Sequence, residues 1–131
     1  MAGIEENVAT VRRGYEYFNS GNIEGLASIF AEDAVWHAAG RNRFAGEKRG
    51  RDAAFAYFGQ IAEATGGTFH TEPHDITASG EHVVGLHTAV GERNGTRLSL
   101  HEALVFHLRD GKIAEVWEHF EDTRTWDDFL G

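Results

Sequence analysis

Three ionisable side chains in the C-terminal half, His87, Glu102 and Glu118, fall where proton chemistry and an apolar setting coincide. From Arg97 to Arg109, Leu98, Leu100, Leu104, Phe106 and Leu108 alternate with wetter residues, a period of two that gives a strand one apolar face. Glu102 stands in that stripe where a leucine is expected. Two turns determine what faces it. Asn94-Gly95 suits a type I′ turn, which needs positive φ at both central residues. It pairs Arg93 with Thr96 and so sets His87 opposite Glu102. Arg109-Asp110-Gly111 suits a type I turn closed by a glycine bulge, which pairs Leu108 with Lys112 and sets Glu118 opposite Glu102. Directly opposed residues share a face, so the three form one row on the apolar side. A one-residue slip at the second turn would move Glu118 to the other side.

A buried pair of carboxyl groups does not carry two charges comfortably. Desolvation and like-charge repulsion raise the pKa of one member, leaving a carboxylate beside a carboxylic acid. That pairing suits general acid–base work, and a neighbouring His87 can accept or relay a proton near neutral pH. Trp36 supplies an apolar wall for a ring-shaped substrate. The other reading of the row is a satisfied His–Glu pair with Glu118 reaching solvent.

The elements that must position this row follow from the rest of the chain. Residues 4 to 19 read as an amphipathic helix with Ile4, Val8, Val11, Tyr15 and Phe18 on its buried side, stopped by Asn19-Ser20-Gly21. Asn22 caps a shorter helix that buries Ile23, Leu26, Ala27, Ile29 and Phe30. Asp33 to His37 is a short strand, and a Gly- and Arg-rich loop runs from Gly40 to Gly50. A third helix spans about Asp52 to Thr65, burying Ala54, Phe55, Phe58, Ile61 and Ala62. A strand from Thr68 to about Ser79 contains Pro73, which marks a sheet edge or a bulge. Trp126, Phe129 and Leu130 belong to a short tail helix over an open end of the sheet. Helices first and strands later predict one α+β domain over residues 1–131, with a curved antiparallel sheet packed on three helices from the N-terminal half.

Composition narrows the function. The 131 residues are 41% hydrophobic and 25% charged, which suits one globular domain with a real core. With no cysteine, disulfides, thiol catalysis and thiolate metal sites are excluded. A net charge of -9 argues against nucleic acid and anionic membranes as partners. No apolar run is long enough to span a bilayer, and the first residues lack signal-peptide features, so a cytoplasmic location is expected. Arg41, Arg43, Lys48, Arg49 and Arg51 crowd one loop, either as an anion-attracting rim or as a solvated segment that offsets acidic neighbours. No P-loop, dinucleotide fingerprint or Ser-His-Asp signature occurs, and no cofactor is expected.

Several motifs together resemble the nuclear transport factor 2-like superfamily, and within it the SnoaL-like, ketosteroid-isomerase-like group. They are Tyr17-Phe18-Asn19-Ser20-Gly21-Asn22, Leu26, Phe30 through His37, Gly50-Arg51-Asp52-Ala53, and Arg109 through Glu115. The resemblance covers nearly the whole chain and implies a cone, a curved sheet wrapped around helices with a pocket inside. It also implies dimers through the outer sheet face. The fold hosts isomerases, dehydratases, cyclases, epoxide hydrolases and non-catalytic modules, so it does not name a reaction. The ketosteroid isomerase oxyanion-hole Tyr and protonated Asp fall at Gly14 and Leu104, and its base at Ala38, beside His37, so that mechanism is not expected here. In limonene-epoxide-hydrolase-like relatives the water-activating Asp falls at Glu118 and a second Asp near His87. Gly85 there replaces the relatives' Arg, and Trp36 stands near their water-holding Tyr.

The expected site therefore has His87, Glu102 and Glu118 handling protons. Tyr15, Trp36, His37, Phe58, Leu104, Phe106 and Phe120 contact the substrate. Strict alternation from Trp36 would turn His37 to the other face. The same registers set His82 opposite His107 and His101 opposite His119 on the outer face. There they line a wet homodimer surface anchored by Trp117 rather than a metal site. The expectation is a cofactor-independent acid–base enzyme of isomerase, cyclase or epoxide hydrolase type, acting on a small apolar molecule. The alternative is a non-catalytic ligand-binding or dimerisation module of the same fold.

Overall fold

The computed structural model describes residues 3–131. Its elements run α1 (Ile4–Ser20), α2 (Ile23–Ile29), β1 (Phe30–Ala38), β2 (Gly46–Arg49), α3 (Arg51–Ala64), β3 (His70–Ala78), β4 (His82–Arg93), β5 (Thr96–Arg109), β6 (Lys112–Phe120) and α4 (Thr123–Leu130). The six strands form one curled, unclosed sheet in the order β2-β1-β6-β5-β4-β3. All adjacent pairs are antiparallel except β1 with β6, so the sheet is mixed. These two strands are far apart in sequence, and a connection of that length permits either direction.

Local chemistry explains most boundaries. Gly21 ends α1 in the left-handed region, φ 70°, and donates its N–H to Phe18 O, while Asn22 N–H reaches Tyr17 O. The Asn22 side chain accepts from Gly25 N–H and starts α2. The buried stripe of α1 is Asn7, Thr10, Val11 and Tyr15. Ile4 and Ile23, expected inside, are 48% and 50% exposed, because each is the first residue of its helix, ahead of the packed turns. Ala62 is also exposed, and the buried stripe of α3 is Ala54, Tyr57, Phe58 and Ile61. Pro73 lies on the edge strand β3 and at a register shift, where a missing N–H costs no central ladder bond. The Gly- and Arg-rich loop contains β2, paired with β1 from Val35 to Ala38.

The registers that place the row differ from expectation at one point. Asn94 and Gly95 have φ of 51° and 80°, the type I′ turn holds, and His87 pairs with Glu102. Asp110 and Gly111 have φ of 53° and 77°, so this turn is also a two-residue loop and pairs Arg109 with Lys112. Alone, that loop would turn Glu118 outward. A bulge restores the face: Leu108 pairs with Ile113 but His107 with Glu115, so Ala114 has no partner. Glu118 ends opposite Leu104, and Phe120 opposite Glu102. Glu118 is thus on the inner face, one pair further along than the turn alone predicts. The same shift sets His119 opposite Ala103 rather than His101.

The core lies between the inner sheet face and the helices. Trp36 meets Phe58 edge-on at 4.7 Å, and Phe30 meets Phe55 at 5.4 Å. At the other end, Asp122 caps α4 by accepting from Arg124 and Thr125 N–H. Asp127 ties α4 to the arginine loop through Arg41 N–H and the Asn42 side chain.

Candidate active site

A cavity of about 70 Å³ lies inside the curl, and His87, Glu102 and Glu118 all line it. Of the expected contact residues, Tyr15, Trp36, Phe58, Leu104, Phe106 and Phe120 line it too. His37 does not. Alternation from Trp36 turns it to the outer face, where it stacks on Trp117 at 5.3 Å and bonds Glu115 at 2.6 Å. Tyr57 and Trp126 line the cavity without having been expected there. The signal for Tyr57 was its spacing, three residues from Ala54 and four from Ile61, the stripe that α3 buries.

The two carboxyl groups have unequal partners. Glu118 is 9% exposed and accepts three hydrogen bonds: Trp36 Nε1–H to Oε2 at 2.7 Å, Tyr57 O–H to Oε2 at 2.9 Å and Ala39 N–H to Oε1 at 2.9 Å. A carboxylate offers about four acceptor sites, so one remains for the cavity. Glu102, 6% exposed, meets one partner among the described residues, His87 Nε2, at 2.7 Å from Oε1. His87 Nδ1 lies 2.8 Å from Tyr15 Oη, and the two rings meet edge-on at 5.3 Å. Gly85 makes this contact possible, since a Cβ there would collide with Tyr15 Oη. Glu102 and Glu118 are diagonal neighbours on adjacent strands, about 7 Å apart at Cβ.

Burial sets the protonation states. Desolvation, with the Glu102 carboxyl adding to it, pushes Glu118 up to about 8, while the bonds from Trp36, Ala39 and Tyr57 pull the other way. Among the described residues Glu102 has no such donors, and desolvation holds it well above the usual carboxyl range. Desolvation presses His87 down to about 4, opposed by the Glu118 charge. Tyr15 and Tyr57 are raised by burial first and the nearby carboxyls second, so both hydroxyls keep their protons. Between Glu118 and Glu102, three donors favour Glu118 as the first to ionise. Above about pH 8 that order gives a Glu118 carboxylate beside a neutral Glu102 acid, with a neutral His87 behind it.

No other Lys, Arg, His, Asp or Glu among the described residues lines this cavity. Among the described residues, no three His, Asp or Glu side chains converge as a metal ion would need. His82 and His107 stack at 5.3 Å on neighbouring outer-face positions. In the basic loop, Arg51 donates to Ala27 O and Phe30 O, Arg49 pairs with Glu47, and Lys48 Nζ lies 5.4 Å from the Tyr57 ring. Among the described residues, no helix is long and apolar enough to cross a membrane.

An apolar cavity inside a curled α+β sheet, with buried ionisable groups on its wall, defines a class of protein, and the comparisons place the chain within it. The SnoaL-like domain family matches residues 11–116, and the chain belongs to that family. A search of curated proteins finds no match. Among solved structures, the chain is 42% identical to Bal32a, from a soil-derived mobile gene cassette, with a TM-score of 0.96 over 98% of both chains. A Xanthomonas campestris protein of unknown function with a cystatin-like fold is 28% identical, with a TM-score of 0.90 over 95% of this chain and 98% of that one. A nuclear transport factor 2-like protein from Burkholderia pseudomallei is 25% identical, with a TM-score of 0.86 over 99% and 98%.

Proposed function

We propose that this protein is a cofactor-independent acid–base enzyme acting on a small apolar molecule inside the cavity. One observation carries the reading: two buried carboxyl groups with unequal hydrogen-bond partners line the same apolar space. Glu118 is the base. It removes a proton from carbon next to a carbonyl, or from water. Glu102 is the acid. It gives its proton to the oxygen on which charge develops, and the ionised Glu102 is then held by His87 Nε2–H. Both steps suit an isomerase or cyclase, and with water as the nucleophile they suit an epoxide hydrolase. The aromatic wall of Trp36, Phe58, Phe106 and Phe120 favours a ring or a branched hydrocarbon body. A cavity of about 70 Å³ limits the substrate to a small one unless wall side chains move. A homodimer through the outer face, with Trp117 at its centre, belongs to the same proposal.

The test is a turnover screen of epoxides and enolisable ketones across pH. Because the base works only once ionised, kcat/KM is expected to rise with pH and level off above about 8. It falls again at higher pH as Glu102 loses its proton, giving a bell. A non-catalytic ligand-binding module would bind members of the same panel and turn over none. A profile flat from about pH 6 to about pH 9 would remove Glu118 from the mechanism.

A further inference from the structure

We propose that Tyr15 is the outlet of a proton relay, running Glu102–His87–Tyr15, that exchanges the Glu102 proton with solvent through a surface cleft between α1 and β3. The inference rests on the acid role given to Glu102 above. The chain of contacts is unbroken: Glu102 Oε1 to His87 Nε2 at 2.7 Å, and His87 Nδ1 to Tyr15 Oη at 2.8 Å. Tyr15, the last member of this chain, also lines a second cleft of about 360 Å³. Its walls are Arg12, Glu16 and Asn19 of α1 and the Pro73–Ile76 stretch of β3. Tyr15 belongs to the walls of both the cleft and the inner cavity, although it is only 6% exposed.

The edge strand is interrupted at the level of the relay. Pro73 pairs with His87 and has no N–H to donate, and the register shifts between Pro73 and Asp75, leaving His74 without a partner. Next along, Ile76 pairs with Gly85, the residue whose missing side chain lets Tyr15 Oη sit against β4. Bulge, proline and glycine thus fall together on the side of the sheet where Tyr15 meets the cleft. A bulge beside a functional group is a common way to terminate pairing locally.

The transfer balances. Water in the cleft gives a proton to Tyr15 Oη and is left as hydroxide in the solvent, the Tyr15 O–H proton moves to His87 Nδ1, and the His87 Nε2–H proton moves to Glu102 Oε1. One proton reaches the carboxylate, the ring changes from its Nε2–H to its Nδ1–H tautomer, and neither Tyr15 nor His87 is left charged. The reverse sequence discharges Glu102 to solvent. A tyrosine suits this position because burial prevents it from ionising, so it passes a proton on and does not release one. The ionisable groups facing Tyr15 are Arg12 and Glu16 from α1, His74 and Asp75 from β3, and His87 from β4, with Glu102 behind His87.

The experiment is NMR on the ¹⁵N-labelled full chain, reading exchange of the His87 ring N–H with water and the titration of Glu102. In Tyr15→Phe, ring N–H exchange is expected to slow by about tenfold or more at the same pH. A purely structural role for Tyr15 predicts the opposite, because losing a buried partner loosens packing and speeds exchange. Gly85→Ala, which pushes Oη off His87, is expected to slow exchange as well and serves if Tyr15→Phe does not fold. Unchanged or faster exchange would overturn the relay and route protons through the inner cavity. The two readings fail separately. If Glu102 titrates as an ordinary carboxyl, the acid role is wrong, whereas a raised Glu102 with unchanged exchange in Tyr15→Phe sinks only the relay.

Discussion

Glu118→Gln is expected to lower turnover by about 10²–10⁴-fold, the usual worth of a positioned general base. The substitution keeps the side-chain shape and removes only the proposed proton acceptor. Its structural cost is smaller and separable. An amide presents one oxygen and one NH₂, so it cannot accept from Trp36 and Tyr57 on one side and from Ala39 N–H on the other. One of these donors is left without a partner, which costs about 1–3 kcal/mol of stability. Urea unfolding and initial rates on one preparation check both numbers. Full activity in the folded variant would mean that Glu118 is a structural acceptor for Trp36, Tyr57 and Ala39 and nothing more.

Trp126→Ala is expected to destabilise the fold by about 3–5 kcal/mol, the range for removing a large aromatic from a packed core. Trp126 is 1% exposed and stacks on Phe120 at 4.7 Å, with Phe69 at 5.7 Å and Phe129 at 6.2 Å. It closes the end of the cavity that α4 covers. Its Nε1–H is buried with no partner among the described residues, so the loss is apolar packing and no hydrogen bond. Trp126→Phe should therefore recover most of the stability. The check is a shift in the urea midpoint at unchanged slope, since a changed slope would mean an altered denatured state. A loss below about 1 kcal/mol would mean that α4 is a surface appendage and not part of the core.

Much of this arrangement is legible in the sequence because turns are local. Asn94-Gly95 alone fixes His87 against Glu102, since its positive φ values leave one loop length. The second turn misleads by one pair because two local events combine there. A type I′ loop at Asp110-Gly111 and a bulge at Ala114 each shift the register by one, and only their sum returns Glu118 to the inner face. Nothing in Ile113-Ala114-Glu115 marks a bulge in advance, because no glycine is present. The strand β2 is likewise hidden, since Gly46-Glu47-Lys48-Arg49 carries no apolar alternation and pairs only with β1. The parallel pairing of β1 with β6 depends on contacts remote in sequence, which periodicity does not encode. The sequence shows Tyr15 only as an apolar helix position and does not single out Tyr57. Their partners, His87 and Glu118, become known once helix and sheet are docked.

Acid–base work at this site requires one buried carboxyl to ionise within the working pH range while its neighbour stays protonated. The most direct measurement is carboxyl and imidazole NMR titration of Glu118, Glu102 and His87 in the free protein. Glu118 is expected to titrate near 8 and Glu102 later, while His87 stays neutral down to about 4. Midpoints for both glutamates in the ordinary carboxyl range, about 4 to 5, would contradict it, because both groups would then be ionised together and no acid would face the base.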